Sequence, residues 1–78
     1  MSDQTTYWTK DQTIAGLLYG MGYTLVEMKW EEQTCYFVFA DEKSCEDVVM
    51  KYYRGEITVN AKAFTDGMRT VKEILRSQ

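Results

Sequence analysis

The stretch Cys35-Tyr36-Phe37-Val38-Phe39-Ala40 is the most apolar and most β-prone run of the chain. It carries no charge and is rich in aromatic and β-branched side chains, which favour a strand inside a sheet. We therefore predict that this run forms a strand near the middle of a small sheet, and that the other elements pack against it.

The residues just before this strand predict its hairpin partner. Residues 23–30 form the second strand and residues 31–34 the turn, with the centre of the turn between Glu32 and Gln33. The pairs expected on the core face are Trp30 with Cys35, Met28 with Phe37 and Val26 with Phe39. The pairs expected on the opposite face are Lys29 with Tyr36, Glu27 with Val38 and Leu25 with Ala40. A slip of one residue would exchange the two faces, so the register decides which side chains remain for a partner.

An amphipathic helix is predicted before the hairpin. Thr9 and Gln12 fit a capping box at its start, and Gly20 and Gly22 are expected to end it, with Gly22 as the left-handed residue. Its apolar positions have the spacing of one helix face: Ile14, Leu17, Leu18 and Met21.

Two further helices are predicted after the hairpin. Ser44 is the expected N-cap of the first of them, and Asn60 caps the second. Their apolar faces hold Cys45, Val48, Val49 and Tyr52 in one helix and Phe64, Met68, Val71 and Leu75 in the other.

The predicted organisation is one compact α+β domain at residues 8–78, preceded by a flexible arm at residues 1–7. The element order is α-β-β-α-(β)-α, a small antiparallel hairpin packed against three helices. Residues 57–59 are a candidate third strand at the edge of the sheet.

The composition argues against an enzyme. The chain contains no histidine, which removes the commonest general base and the commonest metal ligand. Cys35 and Cys45 lie on predicted apolar faces without a CxxC spacing, so we expect two packing residues and neither zinc nor thiolate chemistry. Six acidic residues could lie near one end of the domain, but their spacing fits no EF-hand loop. We therefore expect a solvated acidic rim and not a divalent-ion site. These residues are Glu31, Glu32, Asp41, Glu42, Glu46 and Asp47. No cofactor, metal or small-molecule substrate is expected.

No secretion signal is visible, and no apolar run approaches the roughly 20 residues that a membrane span needs. Two cysteines are too few for a disulfide framework, so we expect a cytoplasmic protein. A chain of 78 residues hides only about 60% of the surface that its unfolded form exposes. Association with another chain is therefore an expected source of stability.

The face of the hairpin away from the helices is the predicted protein-binding surface. It is too apolar for simple solvent exposure and too polar for a core. Its residues are Tyr36, Val38, Leu25, Glu27 and Lys29. We expect a second copy or a host protein to pack on this face or to add a strand at the sheet edge, so a homodimer is one expected assembly.

Nucleic-acid binding is the alternative function. The last helix carries four basic residues that would contact phosphates: Lys62, Arg69, Lys72 and Arg76. Asp66 and Glu73 lie among them, and the net charge of −3 opposes sequence-independent binding. Tyr7, Trp8 and Tyr36 would in addition be available to stack on unpaired bases.

Several short segments together are similar to one protein family. They are Thr9-Lys10-Asp11, Leu17-Leu18, Gly22-Tyr23-Thr24-Leu25, Phe37-Val38-Phe39, Tyr52-Tyr53-Arg54-Gly55-Glu56 and Val59-Asn60-Ala61-Lys62-Ala63-Phe64. Over most of its length the chain resembles domain of unknown function 5659. The resemblance implies this fold and a bacterial or phage genomic neighbourhood, which makes a host protein an attractive partner. It implies no activity and no catalytic residue.

Overall fold

The computed structural model of the chain describes residues 5–77. Its elements are β1 (Thr6–Thr9), α1 (Gln12–Gly20), β2 (Leu25–Glu31), β3 (Thr34–Ala40), α2 (Glu42–Tyr53) and α3 (Ala61–Arg76). The strands form one antiparallel sheet in the order β1-β3-β2. The α+β class and the central position of the Cys35 to Ala40 run are therefore confirmed.

The third strand lies at the beginning of the chain and not at residues 57–59, so both the predicted edge strand and part of the predicted arm are wrong. β1 pairs with β3 from Thr6 opposite Ala40 to Thr9 opposite Phe37. The physical reason is that a buried central strand needs hydrogen-bond partners on both sides, and the β-prone residues Tyr7 and Trp8 supply the second side. Residues 1–4 of the predicted arm lie outside the described residues.

The hairpin has the predicted register from Glu31 opposite Thr34 to Glu27 opposite Val38. Beyond this point Leu25 pairs with Phe39, where Val26 was expected, and the pairing of Leu25 with Ala40 is wrong. The shift leaves Val26 as an extra residue in β2, which is a β-bulge. Leu25 is therefore directed to the helix side, where it packs against the core.

The helix starts differ from the predicted ones at two of three places. Asp11, and not Thr9, caps α1 by accepting hydrogen bonds from the backbone N–H groups of Thr13 at 2.8 Å and Ile14 at 3.2 Å. Thr9 is the last residue of β1, and its side chain accepts a hydrogen bond from the Asp11 N–H.

At the start of α2 the N-cap is Asp41, and not Ser44. Ser44 is a helix residue whose hydroxyl forms a 2.5 Å hydrogen bond with that of Tyr23. Asn60 caps α3 as predicted, with a 3.0 Å bond from the Ala63 N–H. Asp11 and Asp41 were missed because tertiary contacts decide which of two nearby polar residues becomes the cap: Thr9 is paired in β1, and Ser44 bonds to Tyr23.

The core lies between the helices and one face of the sheet. Its buried cluster is Ile14, Ala15, Leu17, Leu18, Phe37, Phe39, Cys45, Val48, Val49 and Val71. Trp30 and Val26, which were also expected there, are exposed at 49% and 51% of their surface. Both residues lie on the edge strand β2, Val26 in the bulge and Trp30 near the turn, where the helices do not cover them fully.

Helices α1 and α3 cross at glycine residues. A Cβ atom at Gly20 would lie 2.6 Å from the carbonyl oxygen of Ala63, and one at Gly67 would overlap the carbonyl oxygen of Gly16. Gly22, with φ of 96°, is the left-handed residue that follows α1, as predicted. Gly20 instead belongs to the helix and makes room for α3.

Candidate functional site

The sheet has one face that the helices do not cover, and we call it the outer face. It is defined by Trp8, Glu27, Lys29, Tyr36 and Val38. Trp8 and Glu27 lie opposite Val38 on its two neighbouring strands, and Lys29 lies opposite Tyr36. These residues share a face because residues directly opposite in an antiparallel pair point to the same side. The alternate residues of β3, Phe37 and Phe39, belong to the helix-side core.

An aromatic pair occupies the outer face. The ring centroids of Trp8 and Tyr36 are 5.9 Å apart at an interplanar angle of 50°, a tilted arrangement that aromatic rings favour. The Trp8 Nε1 donates a 3.1 Å hydrogen bond to the Thr6 hydroxyl, which holds the indole against its own strand. Trp8 is nevertheless 43% exposed.

Two residues of the predicted protein-binding surface are not available to a partner. Val38 is only 1% exposed, because it lies on the central strand between Trp8 and Glu27 and next to the aromatic pair. Leu25 packs against the helix-side core as a consequence of the bulge. The expectation that both are exposed on the outer face is therefore wrong.

The other three residues of that surface are where the sequence placed them. Tyr36 is half-buried, and Glu27 and Lys29 are exposed beside it. The position of Trp8 next to Tyr36 was not predicted, because residues 1–7 were expected to be a flexible arm and Thr9 a helix cap, so no strand was expected at Thr6–Thr9. Two consecutive β-prone aromatic residues, Tyr7 and Trp8, were the signal that could have indicated a strand. In the sheet they point to opposite faces, Tyr7 to the helix side opposite Phe39 and Trp8 to the outer face.

The free edge of β2 borders the outer face, although Met28 and Trp30, which lie opposite Phe37 and Cys35, point to the helix side. β2 is the last strand in the sheet order, and among residues 5–77 only β3 pairs with it. Its exposed large side chains, Val26 and Trp30, flank the half-buried Met28. A strand edge with exposed apolar side chains is a surface to which another strand can add.

The basic residues of α3 are partly neutralised within the helix. Asp66 accepts hydrogen bonds from Lys62 Nζ and Arg69 Nη1, both at 3.0 Å. The bond from Lys62, together with the charges of Lys62 and Arg69, lowers the pKa of Asp66. Lys72 and Arg76 are exposed, with Glu73 between them. The four candidate phosphate-binding residues therefore lie on one helix, but Lys62 and Arg69 are both paired with the Asp66 carboxylate.

The two cysteines have the properties of packing residues. Cys45 is buried, and its thiol donates to the Ala40 carbonyl oxygen at 3.4 Å. Burial raises the pKa of Cys45 to about 11, with a further contribution from Asp41, and burial also raises the pKa of Cys35. Both thiols therefore stay protonated at neutral pH, where a nucleophile or a metal ligand would need the thiolate.

Neither a metal-ligand cluster nor a helix suited to spanning a membrane is present in the described part of the chain. Within residues 5–77, no three His, Cys, Asp or Glu side chains come close enough together to hold a metal ion. None of the helices described here has the length and apolar character that crossing a membrane requires.

Comparison with known proteins gives a family but no activity. No curated protein and no solved structure matches the chain. The family model described as Domain of unknown function (DUF5659) matches residues 4–77, which is nearly the whole chain. This chain is therefore a member of the DUF5659 family.

Proposed function

We propose that the chain is a small, non-enzymatic, cytoplasmic protein-binding module, and that it binds through the outer face and the adjoining edge of its sheet. The observation that carries the proposal is the Trp8 and Tyr36 pair, which stands on a sheet face without a covering helix. Aromatic side chains are enriched in the energetically dominant centres of protein interfaces, where their large surface is removed from water.

The surroundings of the pair fit a protein partner better than a nucleic acid. Glu27 and Lys29 place one charge of each sign on the outer face. A phosphate backbone would favour several positive charges and would be repelled by Glu27. A protein surface can pair with both signs, and mixed polar residues around an aromatic centre are typical of interface rims.

A phage or mobile-element origin belongs to the same proposal. It is supported only by the bacterial or phage neighbourhood that the family resemblance implies, and it would make a host protein a natural partner. The genes on either side of this one are the observation that tests it.

The experiment replaces Trp8 by the photo-crosslinking residue p-benzoylphenylalanine. The matched control carries the same residue at Tyr53, which is 69% exposed on α2, on the helix side of the sheet. We expect an ultraviolet-dependent protein adduct from position 8, to this chain or to another protein, and little from position 53. Adding Tyr36→Ala should reduce the adduct.

Equal adducts from the two positions, or none from position 8, would contradict the proposal. A nucleic-acid adduct from position 8 would instead support the stacking alternative.

Nucleic-acid binding through α3 is the second candidate. It is favoured by the presence of Lys62, Arg69, Lys72 and Arg76 on one helix and weakened by the ion pairs with Asp66. Binding of this kind would weaken steeply as the salt concentration rises, which provides its test.

A further inference from the structure

We propose that the partner at the sheet edge is a second copy of this chain, joined by antiparallel pairing of the two β2 strands around a twofold axis at Met28. The inference rests on the proposed function, since it names the occupant of the sheet edge. Trp8 lies on β1, at the opposite side of the sheet, and stays open to a further partner. The two sheets would form one continuous sheet of six strands, with both aromatic pairs on the same face.

Strand geometry limits the registers to a few. In antiparallel pairing, residues directly opposite each other point to the same face of the sheet. Two identical strands related by a twofold axis satisfy this only if one residue lies opposite its own copy, and the axis passes beside that residue. The seven residues of β2, Leu25–Glu31, therefore offer only a short series of axis positions. An axis at Val26 or at Trp30 would pair no more than three residues of each β2 strand, which is a much shorter overlap than the central registers give.

The charges of β2 select among the central registers. An axis at Glu27 places Glu27 opposite Glu27 of the second copy. An axis at Lys29 places the two Lys29 residues opposite each other and Glu27 opposite Glu31. Like charges directly opposite across strands are destabilising, so both registers are disfavoured.

An axis at Met28 gives complementary pairs throughout the centre of the interface. Glu27 of each copy lies opposite Lys29 of the other, so the attraction occurs twice. One position further out, the bulge residue Val26 lies beside Trp30 of the second copy. These are the two exposed large apolar residues of β2, and the pairing would remove both from water.

Glu27 and Lys29 are free to make these contacts. Both side chains are exposed, and the ion pairs found within residues 5–77 include neither of them. Charges on an edge strand commonly prevent indiscriminate pairing. Here Glu27 and Lys29 disfavour the registers with an axis at Glu27 or Lys29 and allow the register with an axis at Met28.

Charge reversal tests the pairing. Glu27→Lys places two lysines opposite each other at both symmetric contacts, and Lys29→Glu does the same with two glutamates. We expect each single variant to raise the dissociation constant of the dimer about tenfold, as measured by sedimentation equilibrium. The double variant Glu27→Lys/Lys29→Glu is complementary again and should return close to the original value. Lys43→Glu, a lysine reversal in α2 away from β2, is the control.

A disulfide tests the register. Cα atoms of directly opposite residues in an antiparallel pair lie about 4.5 to 5.5 Å apart, within the range that a disulfide spans. Met28→Cys should therefore form a covalent dimer under mild oxidation, and Trp30→Cys should not, since its counterpart is Val26. The unsubstituted chain, which has Cys35 and Cys45, is oxidised in parallel as the control.

The results separate the inference from the proposed function. A monomeric chain at millimolar concentration, or single charge reversals that leave the dissociation constant unchanged, would overturn the β2 pairing. If position 8 still yields an adduct with another protein, the binding module stands with a different partner. If position 8 yields no adduct either, both proposals fail.

Discussion

Gly67 of α3 lies directly against Gly16 of α1, so closely that a Cβ atom on Gly67 would overlap the Gly16 carbonyl oxygen and lie 2.9 Å from the Gly20 nitrogen. Both of these atoms are backbone atoms, which cannot move aside as a side chain can. The distance between α1 and α3 is therefore set by the absence of side chains at this crossing.

We expect Gly67→Ala to lower the free energy of unfolding by about 1–3 kcal/mol, because forcing apart a packed contact outweighs the better helix propensity of alanine. Gly16→Ala should cost less, since its Cβ would meet chiefly the flexible Met68 side chain. Urea denaturation measures both. Thr65→Ala, at an exposed position of α3, reports the propensity effect alone; a Gly67 variant as stable as this control would contradict the packing argument.

The hairpin turn contains a strained residue. Glu32, the first of the two turn residues, has φ of 59°, a conformation that costs an ordinary side chain about 1–2 kcal/mol. Glu32→Gly should therefore raise the free energy of unfolding by about 1 kcal/mol. Gln33→Gly, which has no such strain to relieve, should be neutral or destabilising, and thermal denaturation followed by circular dichroism distinguishes the two.

The buried thiol makes stability depend on alkaline pH. The folded-state pKa of Cys45 is raised from 9.0 to about 11 by burial, so the folded chain holds the proton more tightly than the unfolded chain does. This contribution is complete below pH 9 and is lost as the pH rises toward 11. Urea midpoints measured between pH 8 and pH 11 should fall. The pKa of Tyr7 is also raised by burial, so Cys45→Ala should flatten the decline only in part; an unchanged pH profile in that variant would refute the assignment to Cys45.

Val38 and Trp8 lie opposite each other on the same face but should respond differently to truncation. Val38→Ala removes a side chain that is almost completely buried and should cost about 2 kcal/mol. Val38→Glu should prevent folding, because it buries an unpaired charge. Trp8→Ala should retain the fold, since the indole is substantially exposed. Circular dichroism and urea denaturation measure all three, and a folded Val38→Glu variant would show that Val38 is accessible.

The α3 alternative has its own test. If Lys62 and Arg69 contact phosphates, Asp66→Asn should strengthen binding to DNA or RNA, because it removes the carboxylate that pairs with both. Affinity should also fall steeply with salt, and Arg76→Glu should weaken it. Fluorescence anisotropy with single- and double-stranded oligonucleotides at low salt is the measurement, and no change in anisotropy would exclude this function.

Local patterns were sufficient for most of the elements. The apolar run at Cys35 to Ala40 predicted the central strand, the turn at Glu32 and Gln33 predicted the inner register of the hairpin, and apolar spacing predicted the three helices. Asn60 and Gly22 marked a helix start and a helix end correctly. These features depend on residues that are neighbours in the chain, so the sequence contains the information directly.

Three features of the candidate site depended on contacts between distant residues. Trp8 stands beside Tyr36 only because β1 pairs with β3 across a separation of about thirty residues. Leu25 faces the core because of the bulge at Val26, and Val38 is buried by residues of both neighbouring strands. Propensity and periodicity predict a strand and its two faces. The packing of the whole sheet decides on which side another strand joins and at which residue the register shifts.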